Sequence, residues 1–195
     1  MRPAGILLAG GLATRMGGGD KSLKALGGRP ILAHVIDRIR PQVSALALNA
    51  NGDPARLAEW GLAVVPDAIP DFPGPLAGIH AGMVWAGVYG ITDIVSIPTD
   101  TPFLPADLID RLLAARGDAD IAVARSEGQP HPVVALWPIR LADELHQLVD
   151  GGMRRVTEFA GRHKVAHADF PVGEIDPFLN INHPEDLERA EALLF

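Results

Sequence analysis

Just after its first apolar run, the chain gathers glycine and positive charge. Residues 7–24 read LLAGGLATRMGGGDKSLK, with five glycines, three cations (Arg15, Lys21 and Lys24) and one acid, Asp20. Glycine admits positive φ and lets backbone N–H groups converge on an anion. Arg15 and Lys21 lie inside this loop. Two cations and several N–H donors suit a triphosphate that must release pyrophosphate, because fixed positive charge stabilises the charge growing on the leaving group. The spacing differs from both familiar phosphate loops. No glycine precedes Lys21 as G-x-x-x-x-G-K-[ST] requires, and G-x-G-x-x-G is absent. A solvated surface loop would use the same residue types.

The second chemically suggestive stretch is SIPTDTPFL, residues 96–104, where Asp100 follows a short apolar run. In open α/β sheets, ligands bind outside the carboxyl ends of the strands. A carboxylate there is placed to hold Mg²⁺ beside phosphates. An aspartate that caps a turn would look the same in sequence.

These residues need a scaffold. Apolar runs at 4–9, 44–50, 62–66, 93–98 and 120–124 read as short buried strands. Helical patterns lie between them at 30–39, 54–60, 76–88 and 105–116, with Pro105 suited to a first helical turn. Strands alternating with helices predict an α/β fold, a mostly parallel central sheet with helices on both faces. Beyond residue 125 the pattern loosens. Strands are expected at 131–137, 164–170 and 178–181, and helices at 140–149, 154–161 and 183–194. Residues 66–78 and 173–177 read as loops. No linker divides the chain, so the reading is one domain over residues 1–195, with a nucleotide-binding part (1–125) and an acceptor-side part (126–195).

Composition limits the partners. The 195 residues carry a net charge of −7, against the basic footprint of a nucleic-acid binder. No apolar segment approaches the roughly 20 residues needed to span a bilayer, and the N-terminal apolar run is too short for a signal peptide. There is no cysteine, which removes disulfides and thiolate metal sites and fits a cytoplasmic location.

The segments LAGGLATRMGGGDK, PGPLAGI, PTDTPFLP, HPVVAL and NINHPEDL occur in an order that resembles the bacterial molybdenum cofactor guanylyltransferases. The resemblance runs from Ile6 to about Leu187. It implies a Rossmann-like nucleotidyltransferase fold. It also implies transfer of GMP from GTP, with Mg²⁺ or Mn²⁺, to the terminal phosphate of molybdopterin or molybdenum-molybdopterin, with release of pyrophosphate. By the same resemblance, Leu8, Ala9 and Gly10 meet guanine and ribose through their backbone. Lys21 and Arg15 meet the phosphates, Asn49 (with Asn51 a close rival) and Asp67 bind the nucleotide, and Asp100 is the metal ligand. Asp20 is placed to orient Lys21 or Arg15. His131, Arg154 and Arg155 are acceptor-side candidates, with Asn180 and Asn182. Related nucleotidyltransferases use an asparagine near Asn182 as a second metal ligand. His183 stands where the family more often has threonine, a better helix cap. Proteins of molybdenum cofactor synthesis and delivery are the implied protein partners.

Three other readings compete. A cytidylyltransferase of the same cofactor pathway would use CTP, but such enzymes more often read LAAG than LAGG, and Gly10 leaves room for the larger base. A sugar-phosphate nucleotidyltransferase is usually longer. A non-catalytic GTP-binding adaptor that delivers the cofactor would bind GTP without releasing pyrophosphate.

Overall fold

Strand β1, Ala4–Leu8, shows how the core is built. Ala4 and Ile6 point to one side of the sheet and Leu7 to the other, all with no solvent exposure. A strand buried on both faces has no polar side, which is why it reads as a continuous apolar run. In this computed structural model, which describes residues 1–9, 21–69 and 74–192, β1 lies within a seven-stranded sheet of order β5-β4-β1-β6-β8-β7-β9. Its other strands are β4 (Leu46–Asn49), β5 (Ala63–Val65), β6 (Asp93–Pro98), β7 (Ile121–Ser126), β8 (Gln129–Pro138) and β9 (Val165–Phe170). A separate two-stranded ribbon pairs β2 (Ala25–Leu26) with β3 (Arg29–Pro30).

Helices cover both faces. On one side α1 (Ile31–Ile39) and α3 (Leu108–Arg116) bury Leu32, Val35, Leu108 and Leu112 against Leu7, Leu48, Ile97 and Leu136. On the other, α2 (Pro75–Val88), α4 (Ala142–Asp150) and α5 (Val156–Ala160) bury Leu76, Met83, Leu145 and Phe159 against Ile6, Ile94, Val123 and Trp137. Each such aliphatic or aromatic side chain contributes about 1.5–3 kcal/mol by leaving water. A third cluster joins Leu26, Ile31 and Ile181 to Ala190 of α6 (Pro184–Ala192). Among the described residues, no helix is long and apolar enough to cross a membrane.

The expected α/β architecture is present, and the structure adds or changes four details. First, β8 runs antiparallel between β6 and β7. Its direction is set by a two-residue hairpin, Glu127–Gly128, in which both residues have positive φ (47° and 79°), as a type I′ turn requires. Second, α3 begins at Leu108, not Pro105. Buried Gln42 donates to the carbonyls of Arg38 (2.8 Å) and Pro105 (2.9 Å), and its side-chain oxygen accepts from the Ile109 N–H (3.1 Å). A residue from outside the helix therefore satisfies its first turn. Third, residues 54–60 form a 3₁₀ helix, capped by Asp53 accepting from Ala55 N–H (2.9 Å) and ended by Gly61 at φ 59°. Fourth, residues 178–181 are not a strand. Phe178 and Ile181 enter two different cores, and Ile181 N–H donates to the Asp100 carbonyl (2.9 Å).

Candidate active site

β1, β4, β5, β6, β7 and β9 all end at one edge of the sheet, and antiparallel β8 begins there. That edge collects most of the residues singled out in the sequence. Leu8 and Ala9 close β1. The Leu8 carbonyl accepts from Thr99 Oγ1 (3.2 Å), and Ala9 N–H donates to the Asn49 carbonyl (2.9 Å). Gly10, Arg15 and Asp20 lie outside the described residues.

Asn49 ends β4 and is buried. Its amide donates to the Val65 carbonyl (3.1 Å) and to Asp67 Oδ1 (2.8 Å). Asn51 holds the same aspartate from the other side. Asn51 Nδ2 donates to Asp67 Oδ2 (2.7 Å), and Asn51 Oδ1 accepts from Asp67 N–H (2.9 Å). Thus Asn49, its rival Asn51 and Asp67 form one network rather than alternatives. The carboxylate is fixed at both oxygens yet remains partly open, with lone pairs left to accept from a ligand.

Helix α2 approaches this network because it carries glycine where it crosses. A Cβ on Gly78 would stand 2.2 Å from Asn49 Oδ1 and 2.8 Å from Leu8 Cδ2. Gly74, at the helix N-cap, has φ 144°. Residues 74–79 of the PGPLAGI segment therefore bring α2 close to Asn49 and Leu8 at the ends of β4 and β1.

At the end of β6, Lys21 Nζ donates to Asp100 Oδ2 (2.6 Å) and also to Asn182 Oδ1. The Lys21 and Asp100 side chains are 14% and 21% exposed, so water screens this pair only partly. The other Asp100 oxygen, Oδ1, is buried and has no hydrogen-bond partner among the described residues. A buried carboxylate oxygen left unpaired is costly. It fits a divalent cation, which prefers hard oxygen donors. Among the described residues no three His, Cys, Asp or Glu side chains cluster to hold a metal. The donor set thus suits an ion held by one or two protein oxygens plus phosphates, the usual arrangement for Mg²⁺. Asn182 is exposed and contributes its carbonyl oxygen.

Asn182 stays in place despite the His183 cap. Asp186 Oδ2 accepts from the backbone N–H groups of Asn182 and His183, both at 2.8 Å. This bond from Asn182, above all, holds the Asp186 carboxyl below its usual range. Asp186 supplies the reciprocal half of a capping box, the part that a cap-position threonine does not provide.

The acceptor-side candidates separate. His131, at the start of β8, stacks on Phe178 (ring centroids 4.5 Å) and meets Ser126 Oγ through Nε2 (2.7 Å). Burial pushes its pKa down, while nearby Asp176 opposes the shift. Arg154 and Arg155 are exposed at the start of α5, on the opposite face of the sheet, and the Arg154 carbonyl lies 3.9 Å from where a Gly74 Cβ would stand. Asn180 is exposed. Sequence reasoning missed Ser126, which meets His131, Asp176, which accepts from Ser126, and Thr99, which ties β6 to β1.

Residues 5–167 match the family described as the MobA-like NTP transferase domain. A molybdenum cofactor guanylyltransferase of Bradyrhizobium sp. (strain ORS 278) is 54% identical over 194 residues, covering 97% of this chain and 92% of that protein. Among solved structures, molybdopterin-guanine dinucleotide biosynthesis protein A from Archaeoglobus fulgidus superposes with a TM-score of 0.75 at 23% identity, covering 98% of each chain. Rv0371C of Mycobacterium tuberculosis, solved in complex with manganese, gives 0.72 at 20% identity, covering 98% of this chain and 99% of that one. The two structures share this fold. The chain belongs to the molybdenum cofactor guanylyltransferase family, within the MobA-like NTP transferases.

Proposed function

We propose that this protein transfers GMP from GTP to the terminal phosphate of molybdopterin or molybdenum-molybdopterin, releasing pyrophosphate and forming molybdopterin guanine dinucleotide. The observation that carries the proposal is the Lys21–Asp100–Asn182 cluster at the end of β6, with Asp100 Oδ1 buried and unpaired among the described residues. In the reaction, an oxygen of the acceptor phosphate attacks the α-phosphorus of GTP, and the bond to the β-phosphate bridging oxygen breaks. Asp100 would hold Mg²⁺, with Mn²⁺ as a substitute, and that ion would neutralise phosphate charge when bound. Lys21 turns from Asp100 and Asn182 to the triphosphate and stabilises the charge that develops on pyrophosphate. Arg15 is proposed as a second phosphate cation, and Gly10 as the small residue that admits guanine. Asp67, fixed by Asn49 and Asn51, accepts from N–H groups of the base.

Within this reading, residues 1–125 form the nucleotide side and 126–195 contribute the acceptor side through His131. Arg154 and Arg155 approach from the α2 face beside Gly74. A cytoplasmic location and contact with molybdenum cofactor synthesis and delivery proteins belong to the same proposal. The test is pyrophosphate release with each of the four nucleoside triphosphates, with and without molybdenum-loaded molybdopterin. Release with GTP alone among the four, dependent on the acceptor, supports the proposal. Preference for CTP, or GTP binding without release, would replace it.

A further inference from the structure

Three polar groups meet beside the nucleotide corner without a role in it. Ser126 ends β7 and is 1% exposed. Its hydroxyl lies 2.7 Å from His131 Nε2 and 3.0 Å from Asp176 Oδ2. The other Asp176 oxygen accepts from Phe178 N–H at 2.9 Å, and the Phe178 ring lies against the imidazole. In a hydrolytic triad the histidine stands between serine and carboxylate. Here the serine stands between them, so Ser126 is not an activated nucleophile.

Counting protons fixes the arrangement. An ionised carboxylate can only accept, so the one Ser126 hydrogen goes to Asp176. Ser126 Oγ must then accept from His131, whose Nε2 therefore carries hydrogen. The neutral imidazole is left with its lone pair on Nδ1, which makes no hydrogen bond to a described residue. Burial keeps the ring neutral, and Asp176 is the charged group that favours protonation. The nearby Arg125–Asp169 pair is closed on itself by two bonds of 2.6 and 2.7 Å.

Backbone geometry places this ring deliberately. Val133, Ala135 and Trp137 pack on the α2 side. His131, two residues earlier, would share that side in a regular strand. A register shift between Val123 and Ala124 pairs Val123 with Ala135 but Ala124 with His131. The bulge brings the imidazole to Phe178, which belongs to the α1 and α3 side. Bulges commonly re-aim a side chain next to a site. One short segment joins both corners. Phe178 packs on His131 and Asp176 binds Ser126, while Ile181 N–H binds the Asp100 carbonyl and Asn182 binds Lys21.

We infer that Ser126 and Asp176 are positioning residues that hold His131 as the Nε2–H tautomer, presenting Nδ1 to the phosphate monoester of the acceptor. The inference rests on the proposed acceptor role of His131. A monoprotonated phosphate, whose second pKa is about 6, gives its proton to Nδ1. The phosphate becomes the dianionic nucleophile, and the imidazolium is stabilised through Ser126 by Asp176.

The test pairs ring nitrogen NMR with kinetics. In ¹⁵N-labelled full-length protein, with His131 assigned from a His131→Gln variant, the wild type should show a single Nε2–H tautomer at neutral pH. Ser126→Ala should give a tautomer mixture and raise the acceptor KM roughly tenfold, the lower range for one charge-assisted bond. GTP affinity should stay unchanged, and Ser126→Thr should restore both readouts. An Nδ1–H tautomer in the wild type, or no change in Ser126→Ala, would overturn the relay. A normal acceptor KM in His131→Gln with the tautomer results intact would instead overturn the acceptor reading.

Discussion

Replacing Lys21 with methionine should strengthen metal binding in the absence of nucleotide. The ammonium now occupies Asp100 Oδ2 and Asn182 Oδ1, two of the oxygens the cluster could offer a metal beside Asp100 Oδ1. A metal arriving alone finds only Asp100 Oδ1 unless it displaces the ammonium, and it meets the lysine's positive charge. With both side chains largely shielded, the pair is not an exposed ion pair of negligible worth. A hydrogen bond between charged groups contributes a net of about 1.5–3 kcal/mol, and each 1.4 kcal/mol is tenfold in affinity. Lys21→Met should therefore tighten Mn²⁺ binding by roughly 10- to 100-fold. With GTP present the order should reverse, because the triphosphate gives Lys21 a new partner and the variant lacks it. Titration of the free Mn²⁺ signal by electron paramagnetic resonance, with and without GTP, measures both. Unchanged or weaker Mn²⁺ binding by nucleotide-free Lys21→Met would refute the idea that lysine and metal compete for Asp100.

Gly78→Ala should cost about 1–3 kcal/mol of stability and weaken GTP binding, since its Cβ meets Asn49 and Leu8. Gly82→Ala meets Ile6 first, at 2.8 Å, and should destabilise comparably while GTP affinity, read by calorimetry, is kept. Ser96→Ala should lower stability by about 1–3 kcal/mol in urea titrations, because fully buried Trp137 donates to Ser96 Oγ (2.8 Å) and would lose that partner. Asp186→Ala should cost about 0.5–1 kcal/mol near neutral pH, the low end for an exposed cap. Because the folded carboxyl sits below its usual range, that contribution exists above the ordinary carboxylate pKa and fades as pH falls through the depressed value. The melting-temperature gap between wild type and Asp186→Ala should therefore close in acid.

The juxtaposition of the candidate residues was legible where chemistry favours particular residue types at a strand end. Lys21 and Asp100 are 79 positions apart, yet the motifs around each placed both at the phosphates, and in the structure they touch. Asn49, its rival Asn51 and Asp67 were likewise picked out in the sequence and come together in the structure, where both asparagines hold the same carboxylate. The direction of β8 was hidden for a physical reason. A strand buried on both faces looks alike read forwards or backwards, and a two-residue hairpin decides it. The start of α3 was hidden because its cap comes from Gln42, more than 60 residues earlier. The expected strand at 178–181 failed because its apolar residues serve two cores rather than one sheet face. Ser126 and Asp176 carry no local signal, since an isolated serine at a strand end and an aspartate in a loop acquire meaning only when folding brings them to one imidazole.

The central claim is that Asp100 holds the metal on which nucleotidyl transfer depends. Pyrophosphate release from GTP by Asp100→Asn, in the presence of the molybdopterin acceptor, tests it most directly. The substitution nearly preserves shape and removes the charge that Mg²⁺ prefers. The account predicts a loss of roughly 10²–10³ in rate, with circular dichroism and melting temperature close to wild type. Near-normal turnover by a folded Asp100→Asn variant would contradict it.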